Sequence, residues 1–259
     1  MTARWICAGA RAIGTSHVKQ GLPCQDAFRT TVWSCPGEPP ILIAALADGA
    51  GSAALAGSGA EFAASFVIDL LFRAFEGGAA IAGGEAILRE AVIGARRALE
   101  AKAAYDGHAI EDFASTLLVA IVSSGGGVFG QIGDGAIVID DAEVGWRPVH
   151  WPDHGEYANT TRFLTESDAP AALQIAVTDK PPRRLALFSD GLERLVLDFR
   201  SRTAHAPFFD AILSRLISSR GEGHEAEVSA EIEALLSTAQ VNARTDDDKA
   251  LVCAALIEA

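Results

Sequence analysis

The stretch "LIAALADGAGSA", residues 42–53, decides how this chain is read. Residues 42–47 are apolar without a break, the pattern of a strand covered on both faces. Asp48 and Gly49 then stand where the strand runs out. An Asp-Gly pair turns a chain for ordinary steric and hydrogen-bonding reasons. A carboxylate at the end of a buried strand gains a second meaning only if other strands end the same way.

Three further stretches do. "LALFSDGLERL" (185–195) sets Asp190 after a short apolar strand, and "GQIGDGAIVI" (130–139) sets Asp134 between two strands. "TDDDKALVCAAL" (245–256) puts Asp246, Asp247 and Asp248 just ahead of a last strand. Strands packed in a sheet present their ends together, so carboxylates distant in sequence can converge on one point. A cluster of that kind repels itself. Hard divalent cations relieve the repulsion, and all-oxygen ligation suits Mg²⁺ or Mn²⁺ rather than zinc. Glycine after Asp48 lets the backbone come close to such an ion, with the Gly49 carbonyl as a ligand.

Working outward, short apolar runs at 41–47, 117–122, 128–132, 136–139, 184–188 and 251–256 read as strands. Residues 61–75 have helical period: Glu61, Ser65, Asp69 and Arg73 recur every fourth position among apolar residues, and Gly77-Gly78 ends the run. Helices are also expected over 85–104, 208–217 and 225–237. The order is not strict strand-helix alternation, so an α+β fold with antiparallel sheets is expected instead of a doubly wound parallel sheet.

The chain has 259 residues, 49% of them hydrophobic, enough for one large domain spanning 1–259. No segment is apolar without a break over the roughly 18 residues that a membrane span needs, the uncharged stretch 113–133 being interrupted by Ser-Ser-Gly-Gly-Gly at 123–127, and a cytoplasmic protein is expected. Cys7, Cys24, Cys35 and Cys253 are too scattered for a zinc knuckle or a redox pair. A net charge of −13 disfavours nucleic acid and anionic lipid surfaces as partners. It also disfavours a metal-dependent nuclease, and no Gly-x-x-x-x-Gly-Lys-[Ser/Thr] loop is present for a nucleotide. An acidic protein that handles phosphate needs local positive charge, and metal ions on carboxylates supply it.

The ordered set "GTSHVKQGLPCQDAF" (14–28), "ALADGAGSA" (45–53), "FASTLLVAIV" (113–122), "GQIGDGAIVI", "GEYANTTRFLT" (155–165), "LALFSDGLERL" and "DDDKALVCAAL" (246–256) resembles the motifs of the type 2C metal-dependent Ser/Thr protein phosphatases, the bacterial branch above all. The resemblance implies a β-sandwich of two antiparallel sheets flanked by helices, with two metal ions at one end. It implies that Asp48 bridges both ions, that Gly49 offers its carbonyl, and that Asp190 and Asp247 complete one ion's carboxylates. It places Asp26, beside Gln25, near the second ion, and Asp134 with Asp190 at a weaker third ion. The implied activity is hydrolysis of phosphoserine or phosphothreonine by a water activated between Mg²⁺ or Mn²⁺ ions. The implied partners are a phosphorylated protein substrate and a cognate Ser/Thr kinase, for a chain expected to be monomeric.

The chain also departs from the family pattern. Gln25 replaces a Glu, and Ala50 stands where animal members carry a His two residues after the bridging Asp. Gly21 stands near the position of an Arg that holds phosphate, and the segment 19–24 offers only Lys19. These departures make a phosphatase-fold regulatory module, binding a partner without turnover, the alternative expectation. His17 is a candidate to replace one missing catalytic role, and Arg11 and Lys19 are candidate phosphate contacts. Glu156, Asn159, Thr160 and Thr161 are the polar residues of an expected flap, with Arg162 beside them.

Overall fold

The computed structural model describes residues 3–152, 161–219, 221 and 223–257. Along the chain its strands are β1 (Arg4–Ala12), β2 (Ala27–Trp33), β3 (Ile41–Ala47), β4 (Leu117–Ser123), β5 (Gly126–Ile132), β6 (Ala136–Asp141), β7 (Gly145–Pro148), β8 (Gln174–Thr178), β9 (Arg184–Phe188), β10 (Leu197–Asp198), β11 (Thr203–Ala204), β12 (Gly223–His224) and β13 (Lys249–Ile257). The helices are α1 (Thr15–Gln20), α2 (Ala56–Glu76), α3 (Gly84–Asp106), α4 (Ala169–Ala172), α5 (Glu193–Val196), α6 (Ala206–Ile217), α7 (Ala226–Leu236) and α8 (Ala239–Asn242).

One sheet runs β12-β1-β13-β9-β6-β7 and a second β2-β3-β4-β5-β8. Their ladders are antiparallel, apart from the two-residue β1–β12 pairing at one edge. Side-chain alternation along β3 shows how the layers stack. Leu42, Ala44 and Leu46 face the other sheet, where they meet Trp5, Leu187 and Val252 in the sandwich interior. Ile43, Ala45 and Ala47 face outward onto α2 and α3, among Val67, Leu71, Leu88 and Val92. The outer face of the other sheet is covered by Phe209, Leu213, Val228 and Ile232 of α6 and α7. The result is a helix–sheet–sheet–helix stack, the α+β sandwich expected from the sequence.

The four helices expected from periodicity form as α2, α3, α6 and α7, with α2 extended at its start, and the short helices α1, α4, α5 and α8 are additions. α2 begins at Ala56, five residues ahead of the periodic run, because "AGSGA" carries no amphipathic signal until its burial is seen. Strands β1, β2, β7, β8, β10, β11 and β12 are additions that the apolar-run criterion passed over.

Phe129 of β5 is fully buried in the sandwich interior. Phe129→Ala is expected to cost about 3–5 kcal/mol. Val144→Ala in an exposed turn, where the residue is 70% exposed, is expected to stay within ~0.5 kcal/mol. Urea unfolding midpoints of the two variants check the contrast.

Candidate active site

Antiparallel pairing brings the finish of one strand beside the start of the next. Ala27 pairs with Ala47, Leu46 with Leu118, Leu117 with Ile132, and Phe188 with both Ala136 and Leu251. The loops that leave these positions therefore share one end of the sandwich. There they line a cavity of about 180 Å³ formed by His17, Asp48, Gly49, Ala50, Gly51, Thr116, Asp134, Thr161, Phe163, Asp190, Asp247 and Asp248.

Asp48 is held by its backbone. The Thr116 N–H donates to the Asp48 carbonyl at 2.8 Å, and the Asp48 N–H donates to Thr116 Oγ1 at 3.0 Å. Two residues on, the Ala50 N–H donates to the Ala114 carbonyl at 2.9 Å. Gly49 sits between these clamps, where a Cβ would come within 2.7 Å of the Ala56 carbonyl carbon and 2.9 Å of the Gln25 carbonyl oxygen. A side chain there forces one of these backbones to move.

Asp26 precedes β2 and is fully buried behind Asp48. Ser189 Oγ donates to its Oδ2 at 2.6 Å and accepts from the Ala250 N–H at 2.9 Å, so one hydroxyl ties β9, β13 and the second sheet together. The Asp48 carboxyl lies within hydrogen-bonding reach of both Asp26 and Asp190. Burial first, then the neighbouring carboxylates Asp26 and Asp190, push Asp48 well above the usual carboxylate range. Burial likewise raises Asp26 to about 7 and Asp190 to about 6. Asp247 is raised by burial, and its carbonyl accepts from the buried Lys249 Nζ at 3.0 Å. Asp134 accepts a hydrogen bond from Thr161 Oγ1.

This donor set fits a hard divalent cation. Asp26 Oδ1 and Asp190 Oδ1 are buried with no hydrogen-bond partner among the described residues, and two carboxylates in contact need a proton or a cation between them. Among the described residues no three His, Cys, Asp or Glu side chains already close around one point. The carboxylates are thus gathered at the cleft, not locked into a finished shell.

Comparison with known proteins now decides the family. The family model "Protein phosphatase 2C" matches residues 13–237. The chain belongs to that family. It is 34% identical over 251 residues to Serine/threonine-protein phosphatase 3 of Escherichia coli (strain K12), covering 96% of this chain and 98% of that protein. The crystal structure of the serine/threonine phosphatase Stp1 from Staphylococcus aureus shares the fold, with a TM-score of 0.62 at 18% identity over 98% of this chain and 95% of that one. The catalytic domain of the serine threonine protein phosphatase PstP, in complex with two manganese ions, gives 0.59 at 18% identity over 99% and 100%. The protein is a phosphoprotein phosphatase of the 2C type.

In this family member the sequence-derived site residues Asp48, Gly49, Asp134, Asp190, Asp247 and His17 meet in one cavity, and Asp26 adjoins it through Asp48. The candidate phosphate contacts Arg11 and Lys19 do not line it, and neither does Arg162. Arg11 Nη1 donates to the Asp26 carbonyl at 2.7 Å, Lys19 is exposed on α1, and Arg162 is paired with Glu166 at 2.8 Å and Asp168 at 2.5 Å. Glu156, Asn159 and Thr160 lie outside the described residues. Sequence reasoning passed over Thr116, Ser189 and Glu193. Glu193 is buried, and its carboxyl is raised to about 8 by burial, with Asp134 and Asp190 adding to it. Its spacing from Asp190, one helical turn, was the available signal.

With metal removed by chelator, the folded cluster holds protons that the unfolded chain releases at lower pH. Stability must therefore fall as pH rises from the ordinary carboxylate range through about 6 and 7, by roughly 1.4 kcal/mol per pH unit for each such proton. Thermal melts in EDTA are expected to show this decline, and Asp48→Asn is expected to melt above the natural protein at pH 8.

Proposed function

We propose that this phosphatase hydrolyses phosphoserine and phosphothreonine in proteins, using two Mg²⁺ or Mn²⁺ ions held at the sandwich end. Asp48, the Gly49 carbonyl, Asp190 and Asp247 would hold them, with Asp26 behind Asp48, and Asp134 with Asp190 offering a place to a further ion. The observation that carries this reading is the arrival of five carboxylates from four separate strand ends in one cavity of about 180 Å³. Bound there, the ions supply positive charge to the phosphoryl oxygens and make water a better nucleophile at neutral pH.

The chain's own residues do the positioning. Thr116 fixes the backbone that carries Asp48. Ser189 orients Asp26, and Lys249 fixes the carbonyl of Asp247. None of the four cysteines is needed, and Cys253 is fully buried with its thiol pushed far up by that burial. A cysteine nucleophile requires the opposite shift.

The 259 residues serve in this reading as a single catalytic domain, monomeric and cytoplasmic, acting on a phosphoprotein made by a cognate Ser/Thr kinase. No described helix is long and apolar enough to cross a membrane, and the charge of −13 disfavours nucleic acid.

With Mn²⁺ the protein is expected to release phosphate from a phosphothreonine peptide, and EDTA or Asp48→Asn is expected to reduce this to background. Phosphate release that survives both treatments overturns the reading. Peptide binding without any release favours the regulatory module instead.

A further inference from the structure

We propose that His17, oriented by Asp248, is the acid that protonates the departing seryl or threonyl oxygen; the proposal rests on the phosphatase reading of the cleft.

The geometry starts from Asp248, which is 2% exposed. Its Oδ1 accepts from the Gly14 N–H at 2.6 Å, and its Oδ2 from the Gln25 N–H at 2.5 Å. The same Oδ2 lies 2.8 Å from His17 Nδ1. A carboxylate that already accepts from two backbone donors accepts from a third, so the Nδ1 proton points at Asp248. That leaves Nε2 as the free polar atom of a ring that lines the cleft. A carboxylate on Nδ1 fixes the tautomer and the orientation of the ring.

The other cleft-lining groups are unsuited to give a proton. Asp48, Asp134, Asp190 and Asp247 are carboxylates, and carboxylates that hold cations have no proton to lend. The Thr116 hydroxyl is engaged with the Asp48 N–H, and the Thr161 hydroxyl with Asp134. Among the described residues that line the cavity, His17 is the one side chain able to carry positive charge. Ala50 faces the same space with a single methyl group, so α1 rather than the loop after β3 supplies the imidazole.

In the step itself water adds to phosphorus, and the bond from phosphorus to the seryl or threonyl oxygen breaks with its electron pair on that oxygen. Nε2–H gives this oxygen its proton, and the alcohol departs. The proton shed by the attacking water goes to solvent, and His17 takes one back from solvent. One water is consumed, and alcohol and inorganic phosphate are formed.

The rival to this role is a tie that merely fastens α1 to β13, and leaving-group dependence separates the two. p-Nitrophenolate departs as a stable anion without a proton, whereas an alkoxide does not. His17→Ala and His17→Gln, the latter keeping a donor for Asp248, are expected to lower turnover of a phosphothreonine peptide with Mn²⁺ by about 10²-fold. Turnover of p-nitrophenyl phosphate is expected to fall by only a few-fold. Asp248→Asn is expected to show the same selective loss to a smaller degree. Equal loss on both esters in the His17 variants, or no loss on the peptide, overturns the role of His17. Inertness of the natural protein toward both esters is a different result, and overturns the phosphatase reading beneath it.

Discussion

Both faces of both sheets are covered, and the rest of the molecule follows from that constraint. β3, β4 and β5 are buried at every position, and β13 from Lys249 to Ala255. Interiors of this kind leave ionisable groups no inexpensive place along a strand. The carboxylates that meet at the cleft all stand where a strand has just ended or is about to begin. Their grouping is then decided by topology, because antiparallel neighbours set a finish beside a start at the same end of the sandwich.

That gathering is electrostatically costly, and the structure counters it by fixing backbones more than by pairing charges. Asp48 is clamped through Thr116, Asp247 through Lys249, and Asp26 through Ser189 and the Arg11 contact to its carbonyl. The Arg162 guanidinium is turned to another task, pairing with Glu166 and Asp168. A cleft so built attracts cations and repels a bare phosphate ester. Its one cationic option among the described lining residues is an imidazole.

Much of this was legible in the sequence because a strand buried on both faces writes itself as an unbroken apolar run. The runs at 41–47 and 184–188 coincide with β3 and β9. β1 was hidden because "RWICAGARA" is short of large residues; Trp5 and Cys7 face the other sheet while Ile6 and Ala8 meet helices. β2 was hidden because an edge strand tolerates Arg29, Thr30 and Thr31. Asp48, Asp134 and Asp190 stood out through their glycines. Asp247 and Asp248 could not be told apart by pattern, since both stand just ahead of β13 and both line the cleft. Ser189 was illegible because its partners, Asp26 and the Ala250 N–H, belong to other strands' segments.

Asp248 fastens Gly14, His17 and Gln25 across separations of 234, 231 and 223 residues. Its strand, β13, lies between β1 and β9 in the middle of its sheet. During synthesis, then, the part of the cleft that Gly14, His17 and Gln25 form waits for a partner at least 223 residues further along the chain. Each contact closes a loop of 223 residues or more, at the entropic cost that long loops carry. A nascent chain that stops short of Asp248 lacks both the anchor of the imidazole and the centre of a sheet, so this end of the sandwich is assembled only after that residue has been made.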